Sequence, residues 1–154
     1  MLCTRMRVRA ISGETEMAIA LAEGAAEGPL VTLAEPLSFW GGFDAQSGKV
    51  IDRRHPDLGL CLTGMIVRMT AARGSSSGSS VLAEAIRLGT APAGFIVRER
   101  DAILSLAALV ALELYAKTCV IVQLDKPAYD ALEGAGRVWV RAGRDDVLVR
   151  RSPS

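Results

Sequence analysis

Residues 65–89 read Met65-Ile66-Val67-Arg68-Met69-Thr70-Ala71-Ala72-Arg73-Gly74-Ser75-Ser76-Ser77-Gly78-Ser79-Ser80-Val81-Leu82-Ala83-Glu84-Ala85-Ile86-Arg87-Leu88-Gly89, and their order decides the fold. The short apolar run 65–69 is consistent with a strand. From about Ser80 to Leu88, Val81, Leu82, Ala85 and Ile86 fall on one helical face, and Gly89 stops the turn. The Gly/Ser stretch 73–80 is by itself compatible with a flexible linker. Its neighbours argue otherwise: a strand ends before it and a helix starts after it, leaving about six residues, an ordinary strand-to-helix connection.

Working outward, residues 95–97 supply the next strand. Asp101 can cap a helix over 102–117, because its carboxylate accepts from orphan N–H groups of the first turn. Residues 119–124 read as a buried strand. Two alternating runs, 137–141 and 147–150, joined across 143–146, predict a hairpin, and 152–154 a frayed end. Upstream, 5–10 alternates as a half-buried strand does, and 29–33 is a short extended segment. Residues 14–26 leave helix and strand open, with strand favoured after Gly13. Residues 35–48 set Leu37, Phe39 and Trp40 among Pro36, Gly41, Gly42 and Gly48, the mark of a packed, shaped loop. The result is an α/β fold, mixed, with strands in the majority and two main helices, read as one domain over 1–154.

The chain has 154 residues, half of them hydrophobic and 23% charged, which suits a real core and argues against disorder. Eighteen basic residues against seventeen acidic leave a net charge of +1, and no basic stripe interleaved with aromatics stands out, so nucleic acid is a poor partner. The N-terminal ten residues, with Arg5, Arg7 and Arg9, lack the apolar core of a secretory signal. The longest apolar stretch, about 15 residues from Ala102, falls short of a bilayer span and reads as a buried helix. A cytoplasmic location is expected, with no membrane partner. Cys3, Cys61 and Cys119 suggest neither a disulfide framework nor a metal site, and Cys61 and Cys119 read as inert core residues.

At a strand-to-helix turn, small residues let the backbone approach a ligand, and first-turn N–H groups favour an anion such as a carboxylate or phosphate. No Lys follows as a P-loop requires, and no G-x-S-x-G elbow is present. A serine here can act as a base if neighbouring N–H groups and Arg73 stabilise its alkoxide, which demands a very large pKa shift. Ser79 and Ser80 read as helix caps. His55, beside Asp52 and Arg54, is placed either on a surface hydrogen bond or on substrate. Arg53 and Arg54 read as a solvated pair, and Phe39 and Trp40 as core or pocket wall.

Four blocks carry a family resemblance: Glu35-Pro36-Leu37-Ser38-Phe39-Trp40-Gly41-Gly42, then Ile51-Asp52-Arg53-Arg54-His55-Pro56, then residues 73–82, then Gly89-Thr90-Ala91-Pro92-Ala93. In that order they resemble the small subunit, or swivel domain, of the aconitase X family over about residues 30–125; residues 1–28 fit it less well. The resemblance implies a swivelling β/β/α domain that closes over a large catalytic subunit holding an iron–sulfur cluster, with no metal held by this chain. It implies a hydro-lyase acting on a small carboxylate-bearing substrate. Within the family, members with a serine-rich loop are similar to cis-3-hydroxy-L-proline dehydratase, whereas archaeal members dehydrate mevalonate 5-phosphate; a non-catalytic anion-binding or scaffolding domain is the alternative of another class. Aconitases proper carry a Gly-Ser-Ser-Arg-Glu loop whose first serine is the base. Matching Gly74-Ser75-Ser76 onto it implies Ser75 as catalytic base, with Arg73, Gly74, Ser76, Ser77 and His55 as substrate-binding candidates. Ser77 and Gly78 stand where Arg and Glu would, so the arginine for a substrate carboxylate must come from Arg73 or the partner.

Overall fold

The computed structural model describes residues 6–8 and 16–153. Of the strand expected over 5–10, Met6–Val8 (β1) is described; Cys3, Ser154 and the rest of the N-terminal stretch lie outside the described residues. The open choice at 14–26 resolves as strand, in two pieces, Glu16–Ala22 (β2) and Gly24–Thr32 (β3), divided at Glu23. After them come a short kinked turn, Phe39–Gly42 (α1), whose Trp40 and Gly41 depart from helical backbone angles, and a two-residue ribbon, Phe43–Asp44 (β4) with Lys49–Val50 (β5). Ile66–Met69 (β6), Gly78–Leu88 (α2), Gly94–Val97 (β7), Ala102–Tyr115 (α3) and Val120–Leu124 (β8) follow. Lys126–Asp130 (α4) and the hairpin Arg137–Ala142 (β9) with Val147–Arg151 (β10) close the chain.

The main sheet runs β1-β2-β8-β7-β6-β3-β9-β10. Its middle, β8-β7-β6 and the end of β3, is parallel, because α2 and α3 carry the chain back between strands. Strand β3 changes partner along its length: residues 24–29 pair antiparallel with β9, and 30–32 pair parallel with β6. The flanks are antiparallel, and the two ends of the sheet, β1 and β10, lie against each other, so the sheet curls.

Curling creates two cores, one on each side of the parallel strands, and alternation along each strand assigns its residues to them. Val67, Met69, Phe95, Val97 and Ile121 face the helices and pack with Leu82, Ile86, Leu104 and Phe39. Ile66, Ile96, Val122 and Leu124 face inward to Val138, Val140 and Val147 of the terminal hairpin. The expected β/β/α layering is therefore realised. Arg68, inside an apolar run, is buried in the second layer, where its guanidinium donates to the Tyr129 carbonyl (3.1 and 3.0 Å) and the Thr32 hydroxyl (3.1 Å) and stacks on the Tyr129 ring. That clamp and the Asp125 cap hold α4, which the sequence reading passed over.

Two expectations need correction. Helix α3 is not a buried helix: Leu104, Ala107, Ala108 and Ala111 face the core, but Leu106, Leu109, Leu112 and Leu114 stand 46–68% exposed. With leucines nearly all round, its sequence lacks the polar face that marks the solvent side of most helices. Cys61 is only partly buried, and hydrogen bonding with Thr63 lowers its thiol pKa, so it is no core residue. Cys119 is buried, and desolvation pushes its thiol up to about 12. No helix among the described residues is long and apolar enough to cross a membrane.

Candidate active site

The carboxyl ends of β3, β6 and β7 point to one edge of the sheet and bring three connections together there: residues 33–38, 70–77 and 98–101. That edge is where ligands of parallel sheets bind. The serine loop lies between the other two. On one side the Thr70 carbonyl accepts from Arg98 and Glu99 N–H (3.0 and 3.2 Å), and Ala72 N–H donates to Asp101 Oδ2. On the other, Arg73 N–H donates to the Leu37 carbonyl (3.0 Å), and Arg73 bridges Ser38 in parallel.

Glycines let the loop lie this close. Gly74 adopts φ +89, and a Cβ there would sit 2.4 Å from Ser38 Oγ. Gly78, the first residue of α2, is buried against Phe39 and Trp40, with a Cβ position 3.3 Å from that of Phe39. The aromatic pair divides: Phe39 is core, while Trp40 is 58% exposed beside the loop.

Ser75, Ser76 and Ser77 are exposed. Their carbonyls accept from Gly78, Ser79 and Ser80 N–H (2.9, 3.1 and 3.1 Å), an extra tight turn ahead of α2. The first-turn N–H groups expected to receive an anion are therefore already taken. Ser79 and Ser80 are not caps: they sit inside the first turn, and their hydroxyls donate back to the carbonyls of Ser76 and Ser77 (2.8 and 2.7 Å). The N-cap position belongs to Ser77, whose side chain makes no capping bond. The one N–H aimed at a loop hydroxyl is that of Ser77, which donates to Ser75 Oγ at 3.2 Å. A hydroxyl that accepts an N–H is biased toward its anionic form.

Arg73 is half-exposed and pairs with Asp52 Oδ2 at 3.3 Å, while Asp52 Oδ1 accepts from Arg54 N–H. Arg53 and Arg54 are solvated, as expected. His55 is neither on the surface nor open to a ligand: it is 3% exposed. Its Nδ1 accepts from Asp57 N–H (3.1 Å), which leaves Nε2–H to donate to the Glu35 carbonyl (3.0 Å). Asp57 in turn accepts from Ala34 N–H (2.9 Å). His55 thus ties residues 52–57 to the end of β3 and supports Asp52 and Arg73 from behind. Flanked by Arg53, Arg54 and Pro56, it carries no burial signal in sequence.

Among the described residues, no three His, Cys, Asp or Glu side chains gather as metal ligands. With Cys119 buried and Cys61 beside Thr63, these residues do not fit an iron–sulfur cluster.

The fold and the loop together define a β/β/α domain that presents a serine hydroxyl at the carboxyl edge of parallel strands. Residues 16–149 match the aconitase X swivel domain, and the chain belongs to that family. It is 45% identical over 121 residues to a cis-3-hydroxy-L-proline dehydratase of Pseudomonas aeruginosa, covering 79% of this chain and 20% of that one. A cis-3-hydroxy-L-proline dehydratase of Hypocrea jecorina is 39% identical, with 80% and 21% covered. The chain therefore spans about a fifth of these two relatives. The phosphomevalonate dehydratase small subunit of Methanothermobacter thermautotrophicus is 33% identical over 73% of this chain and 79% of its own length. Among solved structures, Thermococcus kodakaraensis aconitase X in its holo form superposes with a TM-score of 0.67 at 26% identity, covering 84% of this chain and 91% of that chain.

Proposed function

We propose that this chain is the small subunit of a hydro-lyase that converts cis-3-hydroxy-L-proline to a pyrroline-2-carboxylate, in an active site shared with a large subunit. The observation that carries this reading is the Ser75 hydroxyl, exposed at the carboxyl edge of the sheet with the Ser77 N–H directed at it. Ser75 Oγ, as the alkoxide, takes the proton alpha to the substrate carboxylate and becomes the hydroxyl, the electron pair of that C–H bond forms the ring double bond, and the 3-hydroxyl leaves as hydroxide, for which a cluster on the large subunit would supply a Lewis acid. The resulting enamine tautomerises to the cyclic imine. The Ser77 N–H stabilises the alkoxide before it takes the proton, and Arg73, held by Asp52, faces the carboxylate together with the exposed hydroxyls of Ser76 and Ser77. Gly74 keeps the backbone low enough for substrate to approach. An iron–sulfur cluster belongs on the large subunit.

The Pseudomonas and Hypocrea relatives support the hydroxyproline substrate by their identity. A second reading, mevalonate 5-phosphate dehydration, is supported by the coverage of the archaeal small subunit. The deciding experiment mixes this chain with a coexpressed large subunit under anaerobic conditions and assays both substrates. Turnover of hydroxyproline by the mixture alone, reduced at least about 10²-fold by Ser75→Ala, is expected. Turnover of phosphomevalonate instead moves the substrate, and Ser75→Ala within a few-fold of wild type refutes the base and leaves a scaffolding domain.

A further inference from the structure

The serine loop is anchored on two consecutive residues that face opposite ways. Arg73 N–H donates to a backbone carbonyl, that of Leu37, an attachment no side-chain replacement removes. Ala72 N–H donates instead to a side chain, the Asp101 carboxylate. Asp101 is 5% exposed, and its two oxygens do separate work: Oδ1 accepts from Leu104 N–H at 2.9 Å, capping α3, and Oδ2 accepts from Ala72 N–H at 2.5 Å. The residue itself is held in place, since its carbonyl accepts from the Ser105 N–H (3.2 Å) and hydroxyl (2.6 Å). A helix cap needs only one acceptor oxygen. The second oxygen reaches across to the connection after the neighbouring strand, three residues before Ser75.

We infer that Asp101 is a positioning residue for Ser75: its carboxylate joins the start of α3 to the entry of the serine loop and so fixes where the Ser75 hydroxyl stands. This rests on the reading of Ser75 as the base and deepens it. Asp101 touches no substrate. It acts through the backbone of Ala72, Arg73 and Gly74, the last of which lies so close to Ser38 that a Cβ there would sit 2.4 Å from its Oγ. A buried carboxylate that bonds two N–H groups on different elements makes their separation a fixed distance, and small misplacements of a catalytic group are costly in rate.

The test is Asp101→Asn, with Asp101→Ser beside it. Asn and Ser cap helices about as well as Asp, but Asn has one acceptor oxygen and cannot satisfy both N–H groups, and Ser is too short to span them. Amide exchange on the whole chain should show Ala72 exchanging at least about 10-fold faster while amides in the middle of α3 stay protected. In the mixture with the large subunit, kcat should fall about 10-fold and KM rise by less than about 3-fold, since Arg73 keeps its own anchors on Leu37 and Asp52 while Ser75 is displaced. Unchanged exchange at Ala72 in both variants overturns the inference. Faster exchange with unaltered kcat, where Ser75→Ala is inactive, overturns it too. Faster exchange with Ser75→Ala fully active leaves the anchor standing and removes the base reading instead.

Discussion

Replacing Gly74 with alanine tests whether the serine loop is seated as described. At φ +89 an L-residue loses roughly 1–2 kcal/mol relative to glycine. The added methyl also lands 2.4 Å from Ser38 Oγ and 3.1 Å from Ser38 Cβ, overpacking that typically costs about 1–3 kcal/mol. Ser38 Oγ can withdraw only by giving up its bond to the Trp40 carbonyl, and Ser38 Cβ is held by a backbone that bridges Arg73. Gly74→Ala should therefore destabilise by roughly 2–5 kcal/mol, or relieve the overlap by lifting the loop and lose turnover. Gly59 is the control: it has φ +87 and nothing within 4 Å of its Cβ position, so Gly59→Ala should show the conformational part alone. Ser38→Gly removes both contacted atoms and leaves Cα at 3.9 Å. A double-mutant cycle of Gly74→Ala with Ser38→Gly, read from urea midpoints, should show a coupling of about 1–3 kcal/mol. A coupling below about 0.5 kcal/mol, or Gly74→Ala matching Gly59→Ala with full turnover, would refute the seating.

Four other outcomes are expected. His55→Ala should cost about 1–3 kcal/mol in urea unfolding, since it removes a buried ring and leaves the part-buried Glu35 carbonyl and Asp57 N–H without their partner; a loss under about 0.5 kcal/mol would mean that the ring is a surface group after all. Thiol labelling at pH 8 followed by peptide mass spectrometry should modify Cys61 in the folded chain and Cys119 only on unfolding, because hydrogen bonding lowers the first thiol and burial raises the second to about 12. The same burial predicts a pH effect: the unfolded chain releases the Cys119 proton from 9.0 while the folded chain keeps it to about 12, so stability should fall as pH rises through that window. Leu114→Lys, at a position 68% exposed on α3, should change the urea midpoint by less than about 0.5 kcal/mol equivalent.

Most of the fold was legible because its signals are local. The short apolar runs at 65–69, 95–97 and 119–124 could be read as strands, and the alternation at 137–141 and 147–150 as a hairpin. Asp101 was legible as a cap because a carboxylate stands directly before an apolar helix. Its second oxygen was not, since nothing local records an acceptor reaching the next loop. The same holds for His55, whose neighbours are charged and whose ring bonds a carbonyl 20 residues earlier in the chain. The α3 leucines failed in the opposite sense: apolar character was read as burial, yet apolar side chains commonly remain on a protein surface. In the serine loop, the Gly and Ser composition announced close approach, but which hydroxyl receives an N–H depended on the turn geometry of three adjacent residues.

The exchange of partners along β3 sets an order on how the chain can assemble. Residues 18–22 wait for residues 121–124, and residues 24–29 wait for 137–142, whereas β6, α2, β7, α3 and β8 find one another in sequence. During synthesis the amino-terminal strands leave the ribosome with their edges unpaired, a state prone to pairing with other chains. The middle segment, already carrying the serine loop, is the template on which the two ends close, and a chain cut before β9 leaves two-thirds of β3 with no strand to receive it.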